Sequence, residues 1–159
     1  QAAMIAAIYV VLTFIANAFG LANYAVQVRF SEALTILPYF TPAAIPGLFI
    51  GCLLSHVLTG CALPDIIFGS LATLLGALGT YALRRWKWCA PVCPIAANTI
   101  IVPLVLIYGY GLMIDGMSVL QCFGYYCLTV GAGEIISCGI LGMILLLSLQ
   151  KYQGRIFSR

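Results

Sequence analysis

Residues 117–149 read MSVLQCFGYYCLTVGAGEIISCGILGMILLLSL, and the only charged side chain among them is Glu134. An apolar run of about 33 residues exceeds what one untilted membrane crossing needs. Its outer part is expected to project past the hydrocarbon core or to form a separate amphipathic turn. A carboxylate at bilayer depth costs roughly 2.5–3.5 kcal/mol on insertion scales. Such a group is kept where a partner, a cavity or a ligand offsets that cost, so Glu134 is the first candidate for function.

The whole chain resembles this stretch. Of its 159 residues 64% are hydrophobic and only 7% are charged, with a mean hydropathy of +1.12. A soluble domain is nearer half apolar and a quarter charged, and one of this length still exposes much of its surface. The bilayer is therefore the expected solvent, and a single all-α transmembrane domain the expected fold. The chain begins at Gln1 rather than Met, so residues are expected to precede it. Its first segment is too long for a cleaved signal peptide and lacks a small-residue cleavage site.

Turn residues divide the sequence into approximate spans 1–19, 30–40, 43–58, 65–83, 91–111 and 117–149. The second is short, and as an α-helix it covers roughly half a hydrocarbon core. If it counts as a crossing there are six spans; merged with the third it leaves five, and the N-terminus changes side. Arg84, Arg85 and Lys87 form one basic cluster, and Lys151, Arg155 and Arg159 another. Neither offers a face that tracks phosphates, which argues against nucleic acid. Both flank apolar spans, as cytoplasmic loops do. Trp86 and Trp88 interleave with the first cluster as interfacial anchors.

With six spans the polar side chains gather towards the outside. Arg29 and Glu32 lie at the outer end of span two, beside a 20–29 loop holding Asn23, Tyr24 and Gln27. His56 ends span three, Asp65 opens span four, Tyr108 and Tyr110 close span five, and Glu134 falls in the outer half of span six. Such one-sidedness describes a pocket rather than an ion pathway.

Each feature also has a plainer reading. Glu134 follows Gly131-Ala132-Gly133 and shares a helical face with Cys127, Gly131 and Cys138, a groove for a planar ligand or an interhelical hydrogen bond. Arg29 and Glu32, three apart, can simply pair. Asp65 after Pro64 can serve a helix start. Asn98, between Pro94 and Pro103, needs partners for its amide whether it binds a ligand or joins helices. Tyr108, Tyr110, Tyr125 and Tyr126 can stack on a ring but also suit an aromatic belt. His56 has no second metal ligand near it in sequence, and Cys89 with Cys93 makes a weak site. No metal is expected, and the seven cysteines are read as small apolar residues without disulfides. Ala2/Ala6 and Ala3/Ala7 are small-x-x-x-small pairs that admit a partner helix or serve internal packing. No phosphate loop, Ser elbow or zinc-protease motif is present, so neither ATP hydrolysis nor another enzymatic activity is expected of this chain, and no cofactor.

Residues 28–35 (VRFSEALT), 38–51 (PYFTPAAIPGLFIG), 65–74 (DIIFGSLATL) and 131–134 (GAGE) resemble the QueT family of queuosine-precursor transporters, and the likeness covers nearly the whole chain. These resemble the substrate-binding S components of energy-coupling-factor (ECF) transporters. The resemblance implies a six-helix bacterial plasma-membrane protein with both termini cytoplasmic and an outward pocket. It implies docking of the alanine face on a transmembrane coupling protein driven by two ATPase subunits, and toppling in the membrane to release substrate inside. The ligand implied is a 7-deazaguanine, in its 7-cyano or 7-aminomethyl form, or queuine. The loop around Cys89 and Cys93 departs from the family pattern.

Such a base offers N1–H and an exocyclic amine side by side. One carboxylate, Glu134 or Glu32, can accept both as charge-assisted bonds. Asn98 suits the O6 acceptor, Asp65 an aminomethyl cation, and Phe68 or Tyr108 the flat face. The alternatives are an S component for another vitamin, an intramembrane enzyme using Glu134 and His56, and a purely structural helical subunit.

Overall fold

A backbone in lipid has to satisfy its own N–H and C=O groups, which favours helices. The computed structural model describes residues 1–20 and 28–153, and contains no strand among them. Asn23, Tyr24 and Gln27, with most of the expected 20–29 loop, lie outside the described residues, as do Arg155 and Arg159. The described helices are α1 (Ala2–Ala18), α2 (Phe30–Tyr39), α3 (Ala44–Leu58), α4 (Asp65–Ala82), α5 (Lys87–Gly109) and α6 (Val119–Gln150). The last three are long and apolar enough to cross a membrane, while α1 and α3 are shorter apolar helices.

The second segment departs from expectation. All ten residues of α2 are 3₁₀ rather than α, and Ser31 to Pro38 are buried without a break. At about 2.0 Å per residue it spans roughly 20 Å, more than the half-core reach expected of an α-helix. It packs against α1, α3, α4 and α6. The bundle is built around this element, with Ile36, Leu48 and Leu146 at the centre of the apolar core.

The helix 119–150 is unbroken, so the long apolar run forms no separate amphipathic turn. Ser118 starts it with a capping box. Its hydroxyl accepts from the Gln121 N–H, and the Gln121 side chain accepts from the Ser118 N–H at 2.8 Å. Three helices carry π segments: Asp65–Gly69 in α4, Val105–Gly109 in α5 and Ile135–Leu141 in α6.

Small residues bring the helices together. A Cβ on Gly47 would lie 2.7 Å from the Ala2 carbonyl oxygen, and one on Gly51 3.0 Å from the Ala6 Cα and 2.8 Å from the Tyr9 Cβ. Ala2 and Ala6 are thus taken up by α3, which corrects the expectation that all four alanines face a partner. Ala3 and Ala7 remain exposed. Between α4 and α5, Gly79 receives Cys93, whose Cβ would stand 2.4 Å from an added methyl. Cys93 is therefore a close-packing residue, and all seven cysteines are free thiols.

The connections divide between two ends. Thr41 Oγ1 donates to Gln1 Oε1 at 3.2 Å, and Ala44, Ala77, Ala90 and Leu146 share the core at that end. The basic loop after α4 lies there too, with Arg84 over the Tyr81 ring and Trp86 and Trp88 well exposed. At the other end the Ala62 N–H donates to the Tyr110 hydroxyl at 3.2 Å.

Replacing Gly51 by Val forces α1 and α3 apart. We expect a loss of about 1–3 kcal/mol, read as a lowered melting midpoint in detergent. Gly124→Ala, where an added methyl meets open space, should be neutral or stabilising by up to about 1 kcal/mol.

Candidate functional site

The carboxylate of Glu32 is sealed inside the bundle, only 1% exposed, and Glu134 is 5% exposed. A buried carboxylate is tolerated when donors and positive charge surround it. The Tyr9 hydroxyl of α1 donates to Glu32 Oε1, and the Asn98 amide of α5 donates to Oε2 at 3.4 Å. Asn98 also reaches Glu134. The Cys138 thiol, one turn beyond Glu134, donates to its Oε2 at 3.1 Å. Glu32, Glu134 and Cys138 bring their polar atoms within 4.8 Å of one another. Arg29 caps α2 and anchors its N–H on Ser137 Oγ at 3.1 Å. It stands within Coulombic reach of Asp65, Glu32, Tyr9 and Glu134.

Above this floor lies a cavity of about 450 Å³, of a size that holds small ligands. Its walls include Tyr9, Arg29, Ser55, His56, Asp65 and Tyr110. Asp65 Oδ2 accepts from the Tyr110 hydroxyl at 3.3 Å. Cys61, in the loop after α3, also lines it. Burial pushes the Cys61 thiol up from its ordinary range, which keeps it neutral at neutral pH. Glu32 and Glu134 do not line the cavity; Tyr9, Arg29 and Ser31 stand between. The arrangement offers a donor-accepting carboxylate floor, a cation on the wall and mixed polar groups at the mouth.

The family model described as QueT transporter matches residues 1–151. The chain belongs to the QueT transporter family. Over 86 residues it is 34% identical to the queuosine precursor transporter QueT of Lactococcus lactis subsp. cremoris (strain MG1363). That match covers 54% of this chain and about half the length of the relative. No solved structure matches it significantly.

For this QueT-family chain, the residues singled out in the sequence separate into groups. Glu134, Glu32 and Asn98 meet at the floor, with Arg29 beside them and Asp65 at the mouth. Glu134 ends a 16-residue stretch of a 32-residue helix and so sits at the helix midpoint. Phe68 and Tyr108 are not brought to this cavity. They line a separate apolar groove between α4 and α5, at 51% and 74% exposure. Both lie in π segments. His56 and Glu134 fall in different clusters. Tyr9 carried no sequence signal beyond being an aromatic in an apolar helix, yet it joins floor to cavity.

Removing the Tyr9 hydroxyl leaves Glu32 short of a donor. Tyr9→Phe should cost about 1.5–3 kcal/mol of stability. A double-mutant cycle with Glu32→Gln, followed by thermal melting, should show the two changes to be non-additive.

Proposed function

We propose that this chain captures a queuosine precursor, a 7-deazaguanine, as the substrate-binding component of an ECF-type importer. What carries the reading is the buried Glu32–Glu134–Asn98 cluster beside a polar-walled cavity, in a chain of the QueT transporter family. A deazaguanine presents N1–H and an exocyclic amine on one edge. A carboxylate accepting both forms two charge-assisted hydrogen bonds, roughly twice as strong as neutral ones. Asn98, already amid the glutamates, is suited to the O6 acceptor. Asp65 suits the aminomethyl cation of that form, while a 7-cyano group would lie near Arg29 and Tyr110. With Phe68 and Tyr108 turned elsewhere, the base's flat face has Tyr9, Val102 and Leu106 for neighbours.

In this reading α1 to α6 are six membrane spans, the basic ends face the cytoplasm and the cavity opens outward. The chain performs no chemistry of its own. A transmembrane coupling protein and two ATPase subunits would drive reorientation and inward release. The exposed Ala3/Ala7 pair supports a docking face, because small residues let a partner helix approach closely. The enzyme alternative is not favoured, since His56 and Glu134 lie in separate clusters. The buried cluster of Glu32, Glu134 and Asn98, next to a cavity walled by Arg29, His56 and Asp65, disfavours a purely structural subunit.

Purified protein is expected to bind 7-cyano- or 7-aminomethyl-7-deazaguanine with nanomolar-to-micromolar affinity in calorimetry. Binding no tighter than that of guanine would sink the assignment. Glu134→Gln should weaken binding by at least about 1.5–3 kcal/mol, roughly 10- to 150-fold. For the docking face, Ala3→Leu with Ala7→Leu should abolish cellular uptake and co-purification of the coupling protein. Ligand binding by the isolated chain should persist. Uptake at the wild-type rate would remove that face from consideration.

A further inference from the structure

The cavity carries a second constellation, of which the proposed reading of the base uses Asp65 alone. His56, Cys61 and Asp65 bring an imidazole nitrogen, a thiol sulfur and a carboxylate oxygen within 4.8 Å of one another. We propose that these three side chains bind a zinc-class divalent cation.

The backbone fixes them there. His56 lies in the last turn of α3, and the chain then reverses through Gly60 at φ +72°. The Cys61 N–H returns to the His56 carbonyl at 3.0 Å and the Gly60 N–H to the Val57 carbonyl at 3.2 Å. That pair of bonds is a Schellman motif, and it holds Cys61 over His56. Four residues on, Asp65 opens α4, its N–H bonded to the Ala62 carbonyl at 2.9 Å. Behind the imidazole, a Cβ on Gly69 would lie 2.8 Å from His56 Cε1, so the ring is closely backed.

Each donor also has an outer partner. Cys52 Sγ lies 3.7 Å from His56 Nδ1, Thr59 Oγ1 lies 3.4 Å from Cys61 Sγ, and the Tyr110 hydroxyl donates to Asp65 Oδ2. Outer partners of this kind orient metal ligands. With bonds of about 2.0–2.3 Å, tetrahedral donors stand roughly 3.3–3.8 Å apart, so the three side chains would close in by up to about 1–1.5 Å around an ion. The mixture of nitrogen, sulfur and oxygen selects a borderline ion over magnesium or calcium. Arg29, a cation already within reach of Asp65, answers a simple need for positive charge. A bound ion gains from the thiolate and imidazole that Arg29 cannot exploit. Binding displaces the thiol proton. Three protein ligands leave a fourth position, and all three residues line the cavity.

The test is titration of Co²⁺ into the detergent-purified full chain, with no deazaguanine present, so its failure is distinct from failure of the transport reading. One equivalent should produce a thiolate-to-cobalt charge-transfer band that Zn²⁺ removes. Cys61→Ser should abolish the band, and His56→Gln should weaken binding at least tenfold, with melting midpoints near wild type. A double change of Cys89 and Cys93 to Ser should leave the band intact. Absence of the band in the wild type, or its full intensity in Cys61→Ser, overturns the proposal. If Cys61→Ser does not fold, His56→Gln decides it: unchanged cobalt affinity overturns the site.

Discussion

The bundle depends on keeping the Glu32 carboxylate satisfied in a setting with almost no other charge. Breaking up a buried, paired carboxylate costs several kcal/mol, because the remaining charge has no water to turn to. Its donors cannot come from one helix. Tyr9 belongs to α1 and Asn98 to α5, Arg29 opens α2, and from α6 the Cys138 thiol donates to the Glu32 carbonyl. Four elements are thereby held to a common point. The 3₁₀ segment α2 presents Glu32 from its first turn, next to Arg29 at its start.

A hub of that kind requires its neighbours to come close, and in lipid the hydrophobic effect does not push helices together. Glycine faces supply the approach instead. Gly47 and Gly51 take the backbone of α1 at Ala2 and Ala6, and Gly76 and Gly79 take Pro94 and Cys93. Long apolar side chains such as Leu120 and Leu128 are left on the outside, as a hydrocarbon solvent prefers. The exposed Ala3 and Ala7 stand out against that pattern, because a methyl gains little from lipid. On the proposed reading they leave room for a partner helix.

The helices and their approximate ends were legible in the sequence because hydropathy and turn residues report them directly. Glu134, Glu32, Asn98, Arg29 and Asp65 were legible for a related reason: a polar group in an apolar run announces its own cost. Side-chain direction was not. Phe68 and Tyr108 sit in π segments, and an interrupted helical register leaves no mark in residue spacing. Ala2/Ala6 and Ala3/Ala7 have identical spacing, so only the facing glycines of α3 distinguish them. His56 looked solitary because its companions follow five and nine residues later, across a reversal that a spacing rule does not anticipate. Tyr9 looked like any aromatic of an apolar helix until its hydroxyl was seen to point at Glu32.

That hydroxyl bears on selectivity. Glu32 lies behind Tyr9, so a ligand that reaches the floor from the cavity has to take the place of the Tyr9 donor. A base that returns two N–H donors to the carboxylate restores what it displaces, with a surplus. A molecule of similar size without those donors leaves a buried carboxylate short of a partner. Sites built this way reject an analogue lacking the right donors far more strongly than one differing by a methylene. On the proposed reading, discrimination would rest less on the shape of the cavity than on the cost of uncovering Glu32, and apolar molecules from the surrounding lipid would be excluded by the same cost.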